Sequence, residues 1–134
     1  MTVKWTEDLA TDVKSIDTQH KEIFRRLGDL YQACKEGRGR QEISQMISFL
    51  EEYVVSHFSE EEKLMADLHY PSYAPHKAEH IDFIRRIVDL KRRLEKEGPS
   101  LALVVATNME VSEWLKRHIR KADVSFGAFL RTRP

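Results

Sequence analysis

The chain has 134 residues, which is enough for one domain with a substantial core and too few for a second. It carries 22 basic and 22 acidic side chains, so its formal net charge is zero and binding to a polyanion through bulk charge is disfavoured. Five glycines and four prolines supply too few turns for a many-stranded β-fold, and the single cysteine, Cys34, excludes an internal disulfide and a cysteine-rich zinc site.

Hydrophobic periodicity predicts four amphipathic helices, over about residues 17–36, 41–68, 75–97 and 100–120. Asp17 can cap the start of the first helix, and Pro75 suits the first position of the third. The apolar stripes include Leu64 on the second helix and Leu101 and Val105 on the fourth. Residues 1–16 are predicted to form an extended arm, and residues 121–134 a tail with one short helical turn.

Short loops between long helices imply antiparallel neighbours. The prediction is therefore a single all-α domain over residues 1–134, an up-down-up-down four-helix bundle with an extended N-terminal arm and a short C-terminal helical turn. The first eight residues lack the apolar stretch of a signal peptide, and the longest apolar run, 101–106, is far shorter than a membrane span. We expect a soluble, cytoplasmic protein.

Five of the six histidines fall on the predicted apolar stripes. One such histidine is more often a hydrogen-bonded core residue than a ligand. Antiparallel topology, however, brings the starts of helices one and three together with the ends of helices two and four, so all five converge on one end of the core. Unpartnered burial there would cost several kcal/mol per group, which favours a metal site over a purely structural bundle. The converging residues are His20, His57, His76, His80 and His118, together with Glu61 one turn after His57.

Six nitrogen and carboxylate donors are too many for one tetrahedral zinc but suit two octahedral ions that share bridging carboxylates. Imidazole and carboxylate without thiolate suit iron, with zinc, manganese or cobalt as substitutes. A second bridging carboxylate is expected beside His118, and Asp123 is the nearest acid downstream. Five residues on an ideal helix put two side chains about 140° apart. Asp123 therefore serves only if the helix tightens, bulges or ends between the two.

The chain resembles the hemerythrin family from Trp5 to Leu130, and is nearest to its single-domain bacterial form. The motifs that carry the resemblance are Ile16-Asp17-Thr18-Gln19-His20, His57-Phe58 with Glu61-Glu62, Tyr70-Pro71 followed by His76 and His80, and Trp114-Leu115 leading to His118 and Asp123.

The resemblance implies a di-iron centre with an oxo or hydroxo bridge. One iron would be held by His76, His80 and His118, and the other, with an open coordination position, by His20 and His57. Glu61 and Asp123 would bridge the two. The oxygen pocket, whose residues can equally serve as ordinary core packing, would be lined by Ile23, Phe58, Trp114, Leu115 and Ile119. His69 has no family role, and Glu62 is expected to point outward or to support a ligand.

This ligand set favours oxygen binding over oxygen activation. Oxygen-activating di-iron bundles are rich in carboxylates and use a Glu-x-x-His motif, which this chain lacks. We therefore expect reversible binding of dioxygen as a hydroperoxide on the open iron, for transport, storage or delivery, and no enzyme activity. Sensing or nitric oxide detoxification by the same site is the alternative, although Cys34 lies about 21 Å along the helix from His20. We expect a monomer whose partner is an oxygen-consuming enzyme.

Overall fold

Four long helices run up, down, up and down in the computed structural model, which describes residues 4–132. The outer ends of the predicted arm and tail, residues 1–3 and 133–134, lie outside the described residues. The prediction of an all-α four-helix bundle is confirmed. None of the helices in the described part of the chain has the length and apolar character needed to cross a membrane. The elements are a 3₁₀ turn at Glu7–Leu9, α1 at Lys14–Lys35, α2 at Gly39–Phe49, a π turn at Leu50–Val54, α3 at Val55–Asp67, α4 at Tyr73–Glu97, α5 at Leu101–His118, a second π turn at Ile119–Asp123, and α6 at Val124–Arg131.

Two of the four long helices contain a π turn. Helix two consists of α2, the first π turn and α3, and helix four consists of α5, the second π turn and α6. The residues that follow the turns, Val55 and Val124, have ordinary α-helical backbone angles, so each helix continues beyond its turn. A π turn closes on i→i+5 hydrogen bonds and therefore rotates the following side chains relative to an unbroken α-helix.

The start of the first helix differs from the prediction. The helix begins at Lys14, so Asp17 lies in its first turn and is not the capping residue. The Asp17 carboxylate instead accepts hydrogen bonds from the backbone N–H of Thr11 at 2.9 Å, the Thr11 hydroxyl at 2.7 Å and the backbone N–H of Asp12 at 3.2 Å. Its physical role is to fasten the arm to the first helix.

The core has two buried apolar parts. The larger runs along the bundle from Leu30 to Phe58 and Trp114, and the smaller consists of Ile16, Met65, Tyr70 and Phe126. Three residues that were predicted on apolar stripes point outward, because the helices are rotated so that each stripe has an exposed edge. They are Leu64 at 40%, Leu101 at 54% and Val105 at 44% exposure.

The prediction that helix four ends near residue 120 is wrong. The helix continues through the second π turn into α6, eight residues that bury Phe126 and Gly127. Gly127 packs so closely on the arm that a Cβ atom added there would lie 2.6 Å from the Thr11 carbonyl oxygen. Arg131 also donates a hydrogen bond to that oxygen, so α6 and the arm close the same end of the bundle.

We expect Gly127→Ala to destabilise the protein by about 1–3 kcal/mol, because the added methyl group must displace backbone and not a flexible side chain. Alanine is the better helix former by about 1 kcal/mol, so a helix that did not touch the arm would gain stability from the same change. Urea unfolding measures the difference. Ser125→Ala, on an exposed face of the same helix, is the control, and equal or higher stability of Gly127→Ala would contradict the close contact.

Candidate metal centre

Five histidines, one glutamate and one aspartate meet at one end of the bundle, and each of the four long helices contributes. All seven side chains are buried, with no more than 5% of any residue exposed. They form two groups whose potential ligand atoms lie within 4.8 Å of one another: Glu61, His76, His80, His118 and Asp123, and His20, His57 and Glu61.

Glu61 divides its two oxygens between the two groups of histidines. Its Oε1 lies 2.9 Å from His76 Nε2 and 3.4 Å from His80 Nε2. Its Oε2 lies 3.2 Å from His57 Nε2. A carboxylate placed in this way can bridge two ions.

Asp123 has the same arrangement on the opposite helix. Its Oδ1 lies 2.9 Å from His76 Nε2 and 3.2 Å from His118 Nε2, and its Oδ2 lies 3.0 Å from His20 Nε2. Asp123 was expected to face the site only if the helix departed from ideal geometry after His118. The second π turn, Ile119–Asp123, provides that departure. Without that turn, an ideal helix would point the two side chains about 140° apart.

The buried carboxylates and imidazoles of the site strongly shift one another's pKa values. Burial acts to raise the pKa of the Glu61 carboxyl, and so does the Asp123 charge, but the three adjacent imidazoles hold that pKa below its usual range. Burial acts to lower the pKa of His76, yet the adjacent Asp123 and Glu61 carboxylates raise it to about 9. Burial also acts to lower the pKa of His118, but the adjacent Asp123 carboxylate raises it to about 10. When no ion is bound, protons therefore occupy atoms that a metal would need, and metal binding must release them.

The residues present fit a pair of metal ions. Most of the inward-facing atoms make no hydrogen bond of good geometry among the described residues, although imidazole nitrogens and carboxylate oxygens lie 2.9–3.4 Å apart. Each such atom costs about 1–3 kcal/mol when left unsatisfied, and neutral imidazole with carboxylate oxygen is a donor set suited to iron. The unpartnered atoms are Nε2 of His57, His76, His80 and His118, both oxygens of Glu61 and Oδ1 of Asp123.

Three of the histidines are held from behind by residues of a neighbouring helix. Nδ1 of His80 donates to Glu62 Oε2 at 2.8 Å, and Nδ1 of His118 donates to Glu79 Oε1 at 2.8 Å. Nδ1 of His57 pairs with the Gln19 amide oxygen. These bonds keep the proton on Nδ1 and leave Nε2 free to bind a metal. Glu62 was expected either to point outward or to support a ligand, and its contact with His80 supports the second role.

Sequence reasoning missed the roles of Gln19 and Glu79. A signal for them is present, because Gln19, Glu62 and Glu79 are each adjacent in the chain to a predicted ligand. Neighbouring residues on a helix point about 100° apart. A polar residue next to an inward-facing ligand therefore faces an adjacent helix, where it can reach a ligand of that helix.

The predicted pocket residues lie on the side of the site that faces the larger core. Phe58 stacks on the His80 ring, with centroids 3.8 Å apart, and Trp114 stacks on His118 at 4.5 Å. All five residues are buried: Ile23, Phe58, Trp114, Leu115 and Ile119. His69 lies exposed in the loop before α4, outside both groups of ligands.

Comparison with known proteins identifies relatives of the whole domain. A family model described as "Hemerythrin HHE cation binding domain" matches residues 11–129. The chain is 35% identical to a bacteriohemerythrin of Pseudomonas aeruginosa over 91% of this chain and 77% of that protein. It is 34% identical to a bacteriohemerythrin of Methylococcus capsulatus over 94% of this chain and 95% of that protein, and 26% identical to a myohemerythrin of Sipunculus nudus over 91% and 88%.

We expect His118→Ala to lower the number of bound metal ions below two per chain, because it removes one inward nitrogen and the stacking partner of Trp114. The measurement is metal content after iron loading and gel filtration. His69→Asn is the matched control, since asparagine tolerates the positive φ of 54° at that exposed position. Two ions per chain with normal oxygen binding in His118→Ala would contradict the assignment.

Proposed function

This chain belongs to the hemerythrin family, and on that premise we propose that it binds dioxygen reversibly at a di-iron site, in oxygen transport, storage or delivery. Hemerythrin domains bind a di-iron centre, and the members of the family are oxygen-binding proteins rather than enzymes. The observation that carries the proposal is the position of two buried carboxylates that each face both groups of histidines. An oxygen-consuming enzyme of the cytoplasm is the proposed recipient.

The proposed ligands follow the two groups. His76, His80 and His118 would hold one iron, and His20 and His57 would hold the other. Glu61 and Asp123, which each face both groups, would be shared by the two ions. The group with two histidines has one nitrogen fewer, so it is the side that would leave room for oxygen.

The donor set of this chain favours reversible binding. A pair of ferrous ions, when bound, would supply the two electrons that reversible binding of dioxygen requires. Five neutral imidazoles and two carboxylates donate less negative charge than the carboxylate-rich ligand sets of oxygen-activating bundles, so they stabilise highly oxidised iron poorly.

The pocket residues keep water and protons away from the oxygen side. Four of the five side chains, those of Ile23, Phe58, Leu115 and Ile119, carry no polar group. The fifth, Trp114, donates its N–H to Asp82 Oδ2 at 3.2 Å and so is already bonded. The lining therefore offers no acid that could help to break the O–O bond, and its low polarity disfavours the escape of a charged product.

Redox sensing or nitric oxide detoxification by the same site is the second candidate. Tyr70 favours it, because Tyr70 and His76 line one surface groove and a phenol close to a di-iron site can supply an electron. However, Tyr70 belongs to the smaller apolar cluster at the end of the bundle, whereas the oxygen pocket belongs to the larger one. Tyr70 therefore supports a redox role only from the three-histidine side, away from the proposed oxygen pocket.

We expect iron-loaded protein, reduced without oxygen, to be colourless, to gain visible charge-transfer bands in air, and to lose them again on purging. Two irons per chain should accompany the cycle. Absorption spectroscopy through several cycles measures it. Irreversible oxidation in one step would exclude the carrier function and favour a redox role for the same centre.

We expect Leu115→Ala to retain both irons but to oxidise several-fold faster to the ferric form in air, because the cavity it opens lets water approach the oxygen side. Leu30→Ala is the control, since it removes the same atoms from an equally buried position ten residues from His20 along the first helix. Equal oxidation rates for the two variants would remove Leu115 from the proposed pocket lining.

A further inference from the structure

The residues behind the histidines differ in charge between the two groups. In the group with three histidines, His80 and His118 each donate to a carboxylate at 2.8 Å, from Glu62 and Glu79 respectively. In the group with two, His57 pairs with the neutral amide of Gln19. Nδ1 of His20 has no hydrogen-bond partner among the described residues. Among the described residues, the carboxylates that accept directly from Nδ1 of a histidine of the site are therefore on the three-histidine side only.

The orientation of the Gln19 amide follows from its second contact. Its amide nitrogen Nε2 donates to Glu60 Oε2 at 3.2 Å. Because a carboxylate can only accept hydrogen bonds, the NH₂ group must face Glu60 and the oxygen must face His57. The His57 ring is thereby held with Nδ1 protonated and Nε2 directed to Glu61 and the site.

The two kinds of partner have different effects on a bound metal. A carboxylate that accepts the N–H of an imidazole increases the electron donation of that ring, and so favours tight binding and the higher oxidation state. An amide oxygen orients the ring without adding a charge. Lys121 lies 3.3 Å from Glu79 and offsets part of its charge, but Lys121 is 75% exposed, so solvent screens this effect.

We propose that Gln19 is a positioning residue, which acts through His57 to keep the two-histidine side of the site less electron-rich than the three-histidine side. The proposed function places oxygen on the two-histidine side. The neutral partner there would make the iron on that side less prone than the other to irreversible oxidation to the ferric form. The carboxylate partners favour ferric charge and tight binding on the other side. This inference rests on the proposed function for the side that oxygen uses, but not for the charge difference itself.

The test is Gln19→Glu in the full chain, made in a Glu60→Gln background so that the side chain at position 60 donates a hydrogen bond to the new carboxylate and does not repel it. The change adds a carboxylate behind His57 with little change in shape. Metal-free protein is titrated with Zn²⁺, which has no redox chemistry, and the midpoint potential of the iron-loaded protein is measured by spectroelectrochemistry. We expect Gln19→Glu to bind the weaker of the two Zn²⁺ ions about ten-fold more tightly and to lower the midpoint potential. Glu79→Gln should weaken the tighter ion about ten-fold and raise the potential.

The charge control is Gln45→Glu, which makes the same change at an exposed position of α2, twelve residues before His57 in the chain. Circular dichroism confirms that each variant is folded. Shifts in Gln19→Glu no larger than those in Gln45→Glu would overturn the proposal. Loss of one Zn²⁺ from Gln19→Glu would also overturn it, because the amide would then be required for binding and not for tuning. If the unchanged protein does not bind oxygen reversibly, the proposed function fails, whereas the Zn²⁺ result still decides the role of Gln19.

Discussion

The structure depends on one buried polar layer, made of five imidazoles and two carboxylates, that lies between two apolar clusters. Along the helices, the larger cluster begins about one turn beyond the ligands on one side, as with Ile23 after His20, and the smaller begins about one turn beyond on the other, as with Ile16 before it. The inward-facing atoms of these groups cannot reach water, so they must be satisfied by each other or by metal ions. The arm and α6 close the layer at the end of the bundle, where Thr11 bonds to Asp17 and contacts Gly127.

The backbone of helix four departs from α-geometry where the layer requires it. An unbroken helix could not direct both His118 and Asp123 inward, and the π turn between them resolves that conflict by changing the rotation of every residue after it. The same turn directs Phe126 into the smaller apolar cluster, so the site and its cover are positioned together. A local irregularity of this kind is frequent at functional sites because it places ligands that regular geometry keeps apart.

The two sides of the site differ in their number of histidines and in the residues behind those histidines. The side with more histidines is also the side with carboxylates behind them. The side with three histidines has carboxylates behind its ligands and the groove with Tyr70 next to it. The side with two histidines has a neutral amide behind His57. Under the proposed function, this division and an apolar pocket that lacks a free proton donor would separate the side that mainly holds iron from the side that meets oxygen. The proposed carrier function uses both halves.

The sequence by itself determined the four helices, the bundle and the convergence of five histidines with Glu61, because periodicity and the order of short loops are properties of the chain read along its length. It left Asp123 conditional, since spacing alone does not reveal a π turn, and it gave Asp17 a capping role that packing replaced. Only the tertiary structure decided that Gln19, Glu62 and Glu79 support ligands on neighbouring helices, and that Leu101 and Val105 face outward. The physical reason is that these outcomes depend on how each helix is rotated against its neighbours, which is set by the packing of the whole core and by no single segment.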